Sequence, residues 1–292
     1  MLYKANQKFC HSELRILARV ERQRNRGKCL FPRPLRDTSR TGELESRVRL
    51  RAVWLRGRER GKNPAFTLAE ILITLGIIGV VAALTIPGLM TAYKVHQLRS
   101  QFLKSYSTIQ QVFRRMEADD VSTDISAYSG KMGSFYDVFK QYLAGVHECG
   151  VFSNTSDALP CAGYKEYGTS QRKVYQNYTG TVNLSKGVID DGQLALSDGT
   201  LILLENPNGG DWLWVFVDIN GFGKLPNRLG YDLFTFQFIN GELRTMGDRE
   251  TTYNDLEKYC NPKGGNGLNG IACAYKAKTE TDYFKSLVKY FK

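Results

Sequence analysis

Histidine is nearly missing from this chain: His11, His96 and His147 are the only three in 292 residues. No H-E-x-x-H pattern, no G-x-S-x-G nucleophile elbow and no Gly-rich phosphate loop occurs. Acidic residues remain for glycoside chemistry, but they coincide with turns and form no distinctive pair. An enzyme is therefore not expected. Cysteine is sparse, six residues in all, and no two stand at the short C-x₂₋₄-C spacing of a zinc site. Only one uncharged run is long enough for a bilayer, so transport across a membrane by this chain alone is not expected.

A basic excess is also missing from most of the chain. Residues 65–292 hold 22 Lys+Arg against 23 Asp+Glu, whereas residues 1–64 hold 18 against 6. The leading segment has 14 Arg and 4 Lys, and the remainder 7 Arg and 15 Lys. A cluster such as RVERQRNRGK (19–28) could bind nucleic acid or anionic lipid. It has no zinc spacing and no recognition helix beside it, so no nucleic-acid partner is expected. Two other readings stay open. The segment is a basic cytoplasmic flank of the following span, as the positive-inside bias requires, or translation begins later than Met1. No function is read from it.

What is present is NPAFTLAEILITLGIIGVVAALTIPGLM (63–90). Residues 71–93 form 23 consecutive positions without a formal charge. As a helix they extend about 35 Å, enough for a hydrocarbon core of about 30 Å. A buried soluble helix would need an apolar partner of similar length, and none is found. A secretory signal would be cleaved behind its apolar run, yet here the pattern continues past Ala82-Ala83. The span therefore anchors the chain in lipid. Glu70, at its entrance, is costly unless a cation meets it, and no Lys or Arg lies one turn below it.

AFTLAEILITLGIIGVVAALTIP closely resembles the amino-terminal signature of type IV pilins and of the pseudopilins of type II secretion. The resemblance is clearest over residues 65–116 and looser beyond. It implies cleavage by a membrane prepilin peptidase between Ala65 and Phe66, with Ala65 replacing the family's usual Gly, and N-methylation of Phe66. It implies that Glu70 neutralises the Phe66 amine of a neighbouring subunit during assembly. Pro87 falls at the family's helix-bending position, where its missing N–H gives a kink a local cause. The implied function is a structural filament subunit, a secretion pseudopilin before a type IV minor pilin. Its implied partners are other pilin or pseudopilin subunits, the prepilin peptidase, the inner-membrane assembly platform and membrane lipid. The implied place is the bacterial inner membrane, with a cytoplasmic amino terminus and an extracytoplasmic carboxy-terminal domain.

Beyond the span, Val95, Leu98, Phe102, Tyr106, Ile109, Phe113 and Met116 recur at spacings of three and four, an apolar stripe for a sheet to pack on. His96, at the membrane exit, is read as an ordinary interfacial side chain. SFYDVFKQYLAGV (134–146) predicts a short amphipathic helix. GQLALSDGTLILLEN (192–206) predicts a hairpin about Asp198-Gly199, WLWVFVDI (212–219) a strand, and LFTFQFI with Asn240-Gly241 and ELRTM a second hairpin. The expected fold is α+β and pilin-like: a basic leader (1–65), a long helix (66–118), and an external domain (119–292) with an antiparallel sheet against the helix.

Four cysteines lie beyond the span. Of three pairings, the local Cys149–Cys161 and Cys260–Cys273 are preferred. VDINGFGKLPNRLGYDLF (217–234) has two readings. Asp218, Asn220 and Asp232 could converge as oxygen ligands for calcium, although the EF-hand pattern is absent. Alternatively they cap turns between two strands, with Gly221, Gly223 and Gly230 supplying freedom. The turn reading is preferred, and no cofactor is required. A functional alternative is a singly anchored binding module that does not polymerise, using Trp212, Trp214, Phe216 and Phe222 as an aromatic surface.

Overall fold

The computed structural model describes residues 66–128, 131, 133–163, 174–206 and 212–291. The basic leader, Ala65, Cys10 and Cys29 lie outside the described residues.

Helix α1 (Leu68–Ala118) is 51 residues long and contains Pro87. Thr67 caps it: its hydroxyl accepts from the Glu70 N–H at 3.2 Å, while Glu70 Oε2 accepts from the Thr67 N–H at 2.8 Å. This reciprocal capping box satisfies two donors that a helix start otherwise leaves unpaired. Through residues 66–97 the side chains are exposed or at most half-buried, and the helix is long and apolar enough to cross a membrane. Its threonines are satisfied locally: Thr74, Thr85 and Thr91 donate to the carbonyls of Ile71, Val81 and Pro87 at 2.9–3.0 Å. Burial starts at Leu98 and continues through Phe102, Ser105, Ile109, Val112, Phe113 and Met116. Tyr106 of the expected stripe is only half-buried, and Ser105 and Val112 join it.

The stripe packs on a six-stranded antiparallel meander: β1 (His147–Gly150), β2 (Gln193–Ala195), β3 (Leu201–Glu205), β4 (Leu213–Asp218), β5 (Leu233–Ile239) and β6 (Glu242–Thr245), adjacent in chain order. Phe102 meets Phe234 edge-on at 4.8 Å, and Phe113 stacks on Phe238 at 4.2 Å. In the β5–β6 turn Asn240 and Gly241 both take positive φ, 52° and 75°, the mirror-image turn that matches strand twist. In the β2–β3 turn only Gly199 does so, at 92°. Asp198 instead accepts from the Thr200 N–H at 3.0 Å and pairs with Lys104 of α1 at 2.6 Å.

The short helix is α2 (Ser134–Phe139). It tightens into a 3₁₀ turn at Lys140–Tyr142, shorter than the amphipathic pattern indicates. Two further helices follow a one-turn α3 (Leu256–Tyr259): α4 (Cys273–Thr279) and α5 (Tyr283–Tyr290). α5 buries Tyr283, Phe284, Leu287 and Val288, with Phe284 centred 5.8 Å from Phe102.

The sheet is buried on both faces. Ile202, Leu204, Val215, Val217, Phe234 and Phe236 face α1, whereas Leu201, Leu203, Trp214, Phe216 and Leu233 face a second core closed by Tyr175, Ile189, Phe222 and Ile271 from irregular segments. Two-sided burial accounts for the near-continuous apolar runs LILL and LWVFV.

Candidate functional site

The entrance of α1 comes first. Phe66 is 81% exposed, and Glu70 stands one turn into the helix with no covering side chain. The carboxylate is not idle, because Oε2 takes both the Thr67 N–H and the Thr67 hydroxyl, the latter at 3.0 Å. Oε1 carries no hydrogen bond among the described residues. The T-x-x-E spacing is itself a capping-box signature, a local role for Glu70 that its reading as a charge in lipid does not include. Pro87 withholds the N–H that Ala83 O would accept, while the helix continues through it.

The Asp218 loop joins β4 to β5. Asp218 Oδ1 accepts the N–H groups of Gly221 and Asn220 at 2.8 and 3.2 Å, and Oδ2 accepts the Tyr175 hydroxyl at 2.8 Å. Asp232 accepts the N–H groups of Arg228 and Asn227 at 2.6 and 2.9 Å, and the Asn220 side-chain amide at 3.4 Å. Both carboxylates are fully buried. Burial, then repulsion from Asp232, raises the Asp218 carboxyl well above its ordinary range, and burial raises Asp232 in the same direction. The geometry is that of turn caps, with backbone donors around each carboxylate. A Cβ on Gly221, at φ 85°, would strike the Gly199 carbonyl oxygen of the neighbouring hairpin, so glycine is required there. Two oxygens stay unsatisfied: Asn220 Oδ1 and Asn227 Oδ1 are buried without a partner.

A second acidic group was not legible as a site. Asp190 and Asp191 precede β2, Glu205 ends β3, and one carboxylate oxygen from each lies within 4.8 Å of the others. Burial first, then repulsion from Asp191 and Asp190, pushes Glu205 up to about 9, and burial pushes Asp191 up to about 6.

The aromatic set does not form a surface. Trp214, Phe216 and Phe222 are buried in the second core, and Trp212, half-buried, stacks on Trp214 at 5.5 Å. Strand alternation sends Trp214 and Phe216 inward, where other core residues cover them. Two disulfides brace the loops, Cys149–Cys161 and Cys260–Cys273, with Cα separations of 5.5 and 5.0 Å. His147 lies beside the first pair, but the sulfurs there are bonded to each other. No protein-family model, curated protein or solved structure matches the chain.

Proposed function

We propose that this chain is a structural subunit of a pilin-like filament, of the pseudopilin kind that supports type II secretion. One observation carries the reading: a single helix, capped by Thr67 directly after Phe66 and with Glu70 in its first turn, exposes an uncharged membrane-length stretch and becomes a core element of an α+β domain. The exposed apolar front part gives neighbouring subunits a surface to pack on, and the buried rear part holds the domain. Calcium is not required in this reading, because the Asp218 loop is a capped turn. Calcium at that loop is the second reading, favoured by the buried, unpartnered Asn220 and Asn227 oxygens.

Glu70 then has two tasks on two oxygens. Oε2 caps its own helix, and Oε1 is left for the Phe66 amine of the next subunit. The membrane is the bacterial inner membrane, with the basic leader on the cytoplasmic side until cleavage before Phe66. A type IV minor pilin would use the same assembly device. Neighbouring genes for a secretin, an assembly ATPase and further pilins would separate the two.

Native membranes should yield a mature protein starting at Phe66 with a methylated amine, read by intact mass and amino-terminal sequencing. A stable product retaining residues before Ala65, in cells with an active prepilin peptidase, would sink the processing claim. Cysteines placed at Leu75 and Val95 should cross-link into ladders, and Glu70→Ala should lose the ladder while the external domain stays folded. Monomer at every expression level would favour the singly anchored module.

A further inference from the structure

The β2–β3 hairpin brings its own acids together. Its register pairs Gln193 with Leu203 at its open end, and the segment just before β2 runs on beside the end of β3, where Glu205 lies. The Asp191 N–H donates to Leu204 O at 3.1 Å, and the Asn206 N–H to Asp191 Oδ2 at 3.0 Å. Asp190 completes a group whose carboxylate oxygens lie within 4.8 Å of one another. Among the described residues no cation faces any of the three: the groups acting on them are one another and backbone N–H donors.

Proximity of acids alone would be no site, but their hydrogen bonding adds a separate observation. Asp190 is 8% exposed, and among the described residues the one donor acting on its carboxylate is its own backbone N–H. Glu205 Oε2 is buried with no partner, and so is Oδ1 of Asn206, the residue whose N–H holds Asp191. Buried carboxylate oxygens normally accept hydrogen bonds or meet a cation. Here backbone N–H donors meet part of the need and leave Glu205 Oε2 and Asn206 Oδ1 open.

We propose that Asp190, Asp191 and Glu205 form a binding site for a hard divalent cation of the calcium class. All the donor atoms are oxygen, which selects calcium or magnesium over softer metals. Ligands drawn from a strand end and an irregular segment suit calcium's adaptable coordination better than magnesium's strict octahedron. The ion would tie the end of β3 to the segment before β2, which also accepts the Phe152 N–H at Asp190 O, 2.7 Å away. That contact adjoins the loop of the Cys149–Cys161 disulfide, so the clamp would rigidify one end of the external domain. The site stands apart from the filament reading.

Terbium provides a direct probe, since it replaces calcium at oxygen sites, and Trp214 sits opposite Glu205 in the β3–β4 register to sensitise its emission. The full-length chain in detergent micelles should show tryptophan-sensitised terbium emission that calcium displaces, and millimolar calcium should raise its unfolding midpoint. The double variant Asp190→Asn, Glu205→Gln removes ligands and repulsion together. It should lose the emission and the calcium increment while unfolding at a higher temperature than the metal-free parent. That opposite shift separates lost binding from lost folding. Absence of emission in the parent overturns the proposal, and so does emission that survives in the folded variant, which would place the ion elsewhere, the Asp218 loop included.

Discussion

Residues 68–97 and 98–118 belong to one uninterrupted helix but present different surfaces. In the front part nothing is buried, and from Leu98 onward one face disappears into the core. The backbone is indifferent to the change because a helix satisfies its own N–H and C=O groups in lipid and in water alike. Side chains alone mark the border: charges return at Lys94, and burial follows one turn later at Leu98. The domain's core thus draws on the rear half of the helix, and changes in the front half should leave that core undisturbed.

That contrast is most open to breakage at Phe102. It is fully buried among Phe234, Phe236 and Phe284, and Phe102→Ala should cost about 3–5 kcal/mol of domain stability. Leu84 is 78% exposed, and Leu84→Ala should leave the domain's unfolding midpoint unchanged. Denaturant unfolding of both variants in micelles makes the comparison, and a matching loss at Leu84 would show that the halves are energetically one unit.

Next in size is the loss of Cys260–Cys273, which ties the loop after α3 to the start of α4. It closes a loop of 13 residues, so replacing both cysteines with Ser should cost about 3 kcal/mol. The loss should appear in the unfolding of the domain and not in the helicity of the front half, measured by circular dichroism.

Acidity should separate the halves further. Glu205 rises from 4.5 to about 9 and Asp191 from 3.8 to about 6 on folding. A raised carboxyl binds its proton more tightly in the folded state, so its contribution is complete below the unfolded value and is lost as pH rises through the folded one. Without added metal, stability of the α+β domain should therefore fall between pH 4.5 and about 9. Buried Asp218 and Asp232 act with the same sign. Unfolding midpoints measured across that range check the slope, and Glu205→Gln should flatten its upper part. A domain that gains stability toward pH 9 would contradict the carboxylate geometry.

The sheet was legible wherever turn chemistry and alternation coincide. Asn240-Gly241 and Asp198-Gly199 located both hairpins, and the 3–4 spacing from Val95 to Met116 located the buried stripe. The second core was not legible, because Tyr175, Ile189, Phe222 and Ile271 come from irregular segments with no period to read. α5 left a faint signal in Tyr283, Phe284, Leu287 and Val288, at spacings that repeat every four residues. Asp191 and Glu205 stand 14 positions apart in sequence and meet just outside the paired strands, where the Asp191 N–H turns to Leu204 O and the regular register ends.

The smallest effect belongs to the very start of the stem. Thr67→Ala removes the one hydroxyl that both accepts the Glu70 N–H and donates to Glu70 Oε2. Losing a threonine cap costs a helix about 1 kcal/mol, and here that loss is confined to the first turn because burial begins 31 residues later, at Leu98. Amide exchange of residues 68–70 should quicken several-fold in Thr67→Ala, with exchange in β4 and β5 unchanged. Glu70 loses its hydroxyl donor but keeps the Thr67 N–H, so Oε1 stays available to a neighbouring Phe66 amine. Cross-linked ladders should then persist in Thr67→Ala and vanish in Glu70→Ala. If the threonine variant also loses its ladders, Glu70 matters to assembly through the shape of the helix start, and pairing with the neighbour's amine is not what it supplies.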